Sequence, residues 1–359
     1  MKIGIVTQPL SRNYGGILQN YALQQTLIKL GHTPYTFDLG KYTWRDWGIS
    51  TIKSIIKKII GRPYYFPETP NTYYAKEQLL RRFVESHISL MCPRTHIPNR
   101  KYVSQYNLDA IIVGSDQVWR PKYNLCIESM FLAFTQGINI KRLAYAASFG
   151  TDEWEYTPKQ TIACKSLAQK FEAISVREKS GVGLCKDFLG VDATHLVDPT
   201  LLLTKEEYKK VLTHIPESES QYLFAYILDP TEEKIGFIKK YATLLGIEYI
   251  IKGADKQISA NDSIERWLAH FRDAKYIITD SYHGSIFSII FNKPFIAVGN
   301  EARGMSRFNS LLSKLGLEDR LIDISKEHKI PTSNIDWTAI NTNVEASRTT
   351  AISFLTNNL

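Results

Sequence analysis

The sequence predicts an α/β protein of two domains, each a parallel sheet with helices on both faces, and three observations predict it. Short apolar runs rich in β-branched residues recur along the chain, each followed by a stretch of helical period, the alternation that covered parallel sheets require. The length of 359 residues corresponds to about two domains of ordinary size. A content of 44% hydrophobic and 22% charged residues supplies a core and excludes disordered, collagen-like or disulfide-scaffold chains.

The first set of elements opens with KIGIVT (2–7), a loop, a helix over Ile17–Leu30 stopped by Gly31, and TPYTFDL (33–39). After an insertion at about 41–106 come DAIIVGS (109–115), RLAYAASF (142–149), a helix near 158–170 and EAISVR (172–177). The second set opens at ATHLVD (193–198) and continues with YLFAYIL (222–228), a helix, IEYIIKG (247–253) and the amphipathic SIERWLAHFRDA. KYIITDS (275–281), a helix from about His283, PFIAVG (294–299) and a helix near Arg307–Leu315 complete it. Two Rossmann-like halves follow, residues 1–190 and 191–333, and 334–359 reads as a helix packing back on the first half.

Lys plus Arg number 44 and Asp plus Glu 36, a net charge of +8 that favours anionic partners. Lys41, Arg45, Lys53, Lys57, Lys58 and Arg62 stand against the single acid Asp46 between 41 and 63, so this segment carries +5 of the total. A nucleic-acid binder spreads its basic residues along a track, and no RRM, KH or zinc-finger pattern is present, so nucleic acid is excluded as a partner. Within the insertion, ISTIKSIIKKII (49–60) has its isoleucines at helical spacing with Lys53, Lys57 and Lys58 largely off that stripe. Either the stripe packs on the first domain, or the helix lies on an anionic membrane with Trp44 and Trp47 at the headgroup boundary. Cys92, Cys126, Cys164 and Cys185 form no C-x-x-C pair, which argues against a zinc site and for reduced thiols in the cytoplasm. No apolar run is long enough to span a bilayer and no signal-peptide core precedes the first strand, so the expected location is cytoplasmic, peripheral to the inner membrane face if the basic helix binds lipid.

In open α/β sheets ligands bind beyond the carboxyl ends of strands, which selects Gln8–Gly16, Gly114–Asp116, Ser148–Gly150, Arg177 and Asp280–Gly284. The residues in and around these places form recognisable words: NYGGILQNYAL (13–23), IIVGSDQVW (111–119), YAASFG (145–150), SVRE (175–178), VDPTLL (197–202) and DSYHGSIFSIIFNKPFI (280–296). In this order they resemble the polysaccharide pyruvyl transferase family, from about residue 3 to 320. The resemblance implies two Rossmann-like domains facing a cleft, similar to the GT-B glycosyltransferases. It also implies transfer of pyruvate from phosphoenolpyruvate onto sugar hydroxyls, as a ketal, on a cell-surface polysaccharide or its lipid-linked precursor. Phosphoenolpyruvate is then a co-substrate, and neither cofactor nor metal is demanded. Members often carry Arg-Leu-His or a similar triplet where this chain has Ser281-Tyr282-His283; the histidine matches and the arginine does not.

Phosphoenolpyruvate carries a phosphate and a carboxylate, which call for fixed cations or helix N-termini, and an acid must protonate its methylene carbon. His283, opening a helix after a strand, suits that acid, or it merely caps the helix. Arg177 suits a bidentate hold on the donor, or an ion pair with Glu178. Ser281, Tyr282 and Gly284 belong to the donor side, and either Arg303 or Arg307 is placed to replace the missing cation unless both are solvated. On the acceptor side stand Asn13, Tyr14, Gly15, Gly16 and Gln19, with Asn20 as a further hydroxyl partner; a plain turn and cap is the alternative. Asp116 suits a group that orients or deprotonates an acceptor hydroxyl and Trp119 a sugar platform, or Asp116 only caps a turn. Asp198 before Pro199 reads as a turn residue and His195 as a satisfied core histidine. Two other functions compete: a GT-B glycosyltransferase using a nucleotide sugar, and a carbohydrate-binding protein built on aromatic platforms. The first lacks a clear acidic ribose-reading helix, and Arg and His at strand ends favour catalysis over the second. A nicotinamide or flavin fold is excluded because no Gly-rich dinucleotide fingerprint is present.

Overall fold

The computed structural model describes residues 1–124, 126–253, 263–299, 305–326 and 334–359. Among these residues the first sheet has seven parallel strands: β1 (Lys2–Val6), β2 (Thr33–Leu39), β3 (Leu90–Thr95), β4 (Ala110–Val113), β5 (Lys141–Ala147), β6 (Ala173–Val176) and β7 (Thr194–His195). Their spatial order is β3-β2-β1-β4-β5-β6-β7. The second sheet has five, β8 (Tyr222–Tyr226), β9 (Glu248–Lys252), β10 (Tyr276–Thr279), β11 (Phe295–Val298) and β12 (Leu321–Ile322), ordered β12-β11-β10-β8-β9. Central strands are covered on both faces, which is why β4, AIIV, and β8, YLFAY, are buried without alternation.

The apolar residues form three layers. Ile3, Leu23, Phe224, Phe287 and Leu355 belong to one continuous cluster shared by both halves, while Trp119 and Val176 lie in a layer on the far face of the first sheet and Ile238 and Ile296 in one on the far face of the second. The helix Trp337–Asn358 contributes Ile340, Val344, Ala351 and Leu355 to the shared layer. It reaches both halves: Arg348 donates to the carbonyls of Leu201 and Leu203, Lys141 Nζ donates to the main-chain oxygen of Leu359, and Asn343 donates to the carbonyl of Leu315.

Three boundaries differ from the sequence expectation. The first helix runs Tyr14–Lys29, beginning before Ile17, because Asn13 Oδ1 accepts the Gly16 N–H and so caps it three residues earlier. The strand expected to open the second half, Thr194–His195, pairs instead with β6 and closes the first sheet, so the junction lies beyond residue 195. The insertion is only partly an insertion: β3 pairs with β2, and the helix Pro70–His87 buries Leu80, Phe83 and Val84 in the shared layer. The basic helix, Trp44–Ile59, does not pack its isoleucines on the domain; Ile49, Ile52, Ile55, Ile56 and Ile59 are exposed.

Candidate active site

Each sheet reverses its strand order at one place, between β1 and β4 in the first and between β8 and β10 in the second. The strand ends at such a reversal splay apart and leave a crevice. Here the two crevices face each other across a cleft of about 490 Å³. Its walls come from the loops after β1 (Gln8, Arg12, Asn13, Gly15), β4 (Asp116, Gln117), β8 (Leu228) and β10 (Asp280, Ser281, Tyr282, His283), with Arg307 from the helix Ser306–Leu315.

His283 is the second residue of the helix Tyr282–Ile290, which Ser281 caps by accepting the Gly284 N–H at 3.3 Å. Its ring is laid against the start of the first helix: a Cβ added to Gly15 would overlap the imidazole. The missing Cβ of Gly15 therefore lets a histidine of the second half reach over the helix N-terminus of the first. The Nε2 atom lies 3.5 Å from Asp198 Oδ2, so an imidazolium has a counter-ion in place.

Asp198 is fully buried and its oxygens are divided. Oδ1 accepts from the Thr200 N–H at 3.0 Å and the Thr200 hydroxyl at 2.7 Å, while Oδ2 accepts from Arg177 Nη1 at 2.7 Å and faces His283. Burial raises its pKa, but the charge and hydrogen bonding of His283 and the charge of Arg177 outweigh burial and hold it well below the usual carboxylate range. From Arg177 the network continues: Nη2 lies 3.4 Å from Asp116 Oδ1, and Asp116 Oδ2 accepts from Asn13 Nδ2 at 3.0 Å. Burial alone would lower the Arg177 pKa, yet Asp198 and its other neighbours keep it raised. Glu178, also wholly buried, accepts a short hydrogen bond from Ser148; burial pushes its pKa up, against the pull of Arg177.

Tyr282 sits between two guanidinium groups, with Arg177 Cζ 4.9 Å and Arg307 Cζ 5.5 Å from its ring centroid. Burial and then the nearby Arg177 charge push Arg307 below the ordinary arginine range, against the pull of Glu178 and Asp116. Asp280 is engaged elsewhere, accepting from the Leu228 N–H at 2.6 Å and from Lys234 Nζ at 2.7 Å, which pins the loop after β8.

Of the residues singled out in the sequence, the cleft brings together Asn13, Gly15, Asp116, Ser281, Tyr282, His283 and Arg307. Others lie elsewhere for identifiable reasons. Trp119 is buried among aromatics, stacked on Phe131 at 4.6 Å with its N–H donated to the Met130 carbonyl at 3.0 Å, and offers no face to a sugar. Arg177 is buried behind Asp198 and Tyr282, without a place on the cleft wall. Gly284 is a packing glycine, since a Cβ there would overlap Thr279. Tyr14 stacks on Trp267 at 5.3 Å, joining the two halves, and Gly16 caps against Asn13. Gln19 and Asn20 are buried in the first helix away from the cleft. Arg303 lies outside the described residues. His195 donates to the Arg177 carbonyl at 3.2 Å and is half-buried. Sequence reasoning passed over Arg12, which lies within a selected loop, and Asp198, whose Pro-adjacent turn is real but is also a charged support.

The chain matches the family described as polysaccharide pyruvyl transferase over residues 13–302. It belongs to the polysaccharide pyruvyl transferase family. The match takes in Asn13, Gly15, Asp116 and the histidine-bearing helix of the cleft, while Gln8, Arg12 and Arg307 lie outside it. Among solved structures, Arabidopsis thaliana UGT89C1 complexed with UDP-L-rhamnose is 9% identical with a TM-score of 0.52, covering 99% of this chain and 98% of that one. MurG of Acinetobacter baumannii is 8% identical with a TM-score of 0.41, covering 99% and 98%. The UDP-GlcNAc 2-epimerase of Methanocaldococcus jannaschii is 10% identical with a TM-score of 0.44, covering 96% and 92%. No curated protein matches the chain. The fold of this pyruvyl transferase family member is thus GT-B-like, two parallel-sheet domains facing a cleft.

Proposed function

We propose that the protein transfers the pyruvyl group of phosphoenolpyruvate to two hydroxyls of one sugar, forming a ketal on a polysaccharide or its lipid-linked precursor. The observation that carries this reading is His283 backed by Asp198 at 3.5 Å, on a cleft that Arg307 and two helix N-termini also line, in a chain of this family. The donor's phosphate and carboxylate find positive potential from Arg307, from Arg12 and from the N-terminal ends of the helices at Tyr14 and Tyr282. The family's arginine is replaced by Ser281, and Arg307 supplies a cation to the same wall.

The chemistry then balances as follows. His283, as imidazolium, gives a proton to the methylene carbon, and C2 becomes electrophilic. An acceptor hydroxyl adds to C2 and its proton returns to His283; phosphate leaves as the C–O bond breaks, carrying the proton released when the second hydroxyl closes the ring. Asp116 belongs to the acceptor side, held by Asn13 and Arg177 so that its carboxylate orients a hydroxyl. Arg177 acts through Asp198 and Asp116 and is a positioning residue. The test is incubation of the full chain with phosphoenolpyruvate and soluble sugars bearing neighbouring hydroxyls, following phosphate release and acceptor mass. A gain of one pyruvate less one water supports the reading. Binding of a nucleotide sugar without binding of phosphoenolpyruvate by calorimetry overturns it in favour of a glycosyltransferase.

A further inference from the structure

The helix Trp44–Ile59 is inside out for a soluble domain. Its capping box at Thr43 and Asp46 fixes the start, and the face it turns to the protein carries Trp47 and Ser54. Trp47 Nε1 donates to the Pro67 carbonyl at 3.3 Å and Ser54 Oγ to the Tyr65 carbonyl at 2.6 Å. At 100° per residue the isoleucines fall on the opposite side, and they are exposed, Ile59 at 78% and Ile52 at 59%. Exposed Arg45 lies on that stripe and exposed Lys53 flanks it, whereas Lys57 and Lys58 fall on the side turned to the protein, Lys58 Nζ lying 5.6 Å from the centroid of the Tyr64 ring. Beside it the returning strand of chain exposes Tyr65 at 88% and Phe66 at 55%.

We infer that this face docks on the surface of an anionic phospholipid bilayer, with the isoleucines in the acyl boundary and Arg45 and Lys53 at the phosphates. Charge decides the occupant. A second copy packed isologously on this face would set Arg45 and Lys53 of each chain against the same two residues, a like-charge juxtaposition that costs affinity; an anionic surface pairs with both. No helix among the described residues is long and apolar enough to cross a membrane, so the helix lies in the interface plane. The docking face is joined to the cleft: the chain it holds at Tyr65 and Pro67 continues to Glu68, which pairs with Arg12 of the cleft wall at 3.2 Å. Docking thus presents the cleft to acceptors that are themselves anchored in lipid, a consequence that rests on the pyruvyl-transfer reading, although the docking does not.

The experiment is flotation of the full chain with vesicles of phosphatidylglycerol and phosphatidylcholine, against phosphatidylcholine alone, at low salt. The protein is expected to float only with the anionic vesicles. Arg45→Gln with Lys53→Gln should lower partitioning by roughly 30-fold, and Ile52→Ser with Ile56→Ser should abolish it, all at exposed positions that leave the thermal transition in place. Failure to float, or equal flotation of both variants, overturns the inference. Light scattering that shows the isoleucine variant dissociating a dimer, with flotation unchanged, also overturns it by assigning the face to a second copy. Phosphate release with a soluble acceptor reads the pyruvyl-transfer assignment separately, since it requires no membrane.

Discussion

Because Thr200 takes up one oxygen of Asp198 while Arg177 and His283 share the other, the carboxylate has both a structural and an electrostatic task, and the two separate on mutation. Asp198→Asn keeps the shape and removes the charge beside the imidazole. We expect kcat to fall about 10²- to 10⁴-fold, the range for a lost acid–base function, with phosphoenolpyruvate affinity by calorimetry changing little. His283→Gln should lose a similar amount, and the double variant no more than either, because the pair acts as one unit. Full additivity would separate the two roles. Gly15 gives a second residue-scale test. Gly15→Ala places a methyl where the imidazole lies, so kcat should drop at least about tenfold through a displaced ring. Gly183→Ala, in the helix Lys179–Leu184 with open space around it, is the control and should stabilise by about 0.5–1 kcal/mol.

At the scale of elements, what was legible in the sequence was whatever has a period or a defined end. KIGIV, AIIV, YLFAY and YIIT are largely apolar runs, and the rule of carboxyl-terminal loops leads from AIIV to Asp116 and from YIIT to His283. Partner choice has no such local signature. β7 is two residues long, so nothing in ATHLVD says which sheet it joins. The Ile49–Ile60 stripe shows amphipathicity without saying which side is wet, and Trp119 is an aromatic after a strand whether it faces a sugar or Phe131. Two predictions follow from those outcomes. Trp119→Ala should cost about 3–5 kcal/mol by urea unfolding while acceptor KM stays unchanged in whatever folds. In β7, burial and then Lys314 push His195 down to about 4 from 6.5. The unfolded chain therefore binds this proton first as pH falls, and stability is lost between about pH 6.5 and 4. His195→Gln should lose less stability than the parent between pH 7 and pH 5.

On the scale of the whole molecule, the two sheets are coupled by the layer between them. Tyr14 of the first helix stacks on Trp267 of the helix Ile264–Asp273, Lys179 N–H donates to Ser310 Oγ at 3.0 Å, and the helix Trp337–Asn358 buries side chains against both halves. The cleft depends on this layer, since His283 opens a helix after β10 of the second sheet while Asp198 lies on the segment that links β7 of the first sheet to β8 of the second. Leu355 is completely buried in it, and Leu355→Ala removes buried methyl and methylene groups where the gap can collapse only partly. The expected cost is about 2–5 kcal/mol. If the halves are one cooperative unit, calorimetry should show a single transition for the parent and a single transition, moved down, for the variant. Two transitions of which only one moves would mean that each half carries its own stability, and the His283–Asp198 distance would then vary with the hinge between them. In that case Leu355→Ala, far from the chemistry, should leave kcat unaltered; in the cooperative case kcat measured near the lowered transition should fall with the population of folded molecules.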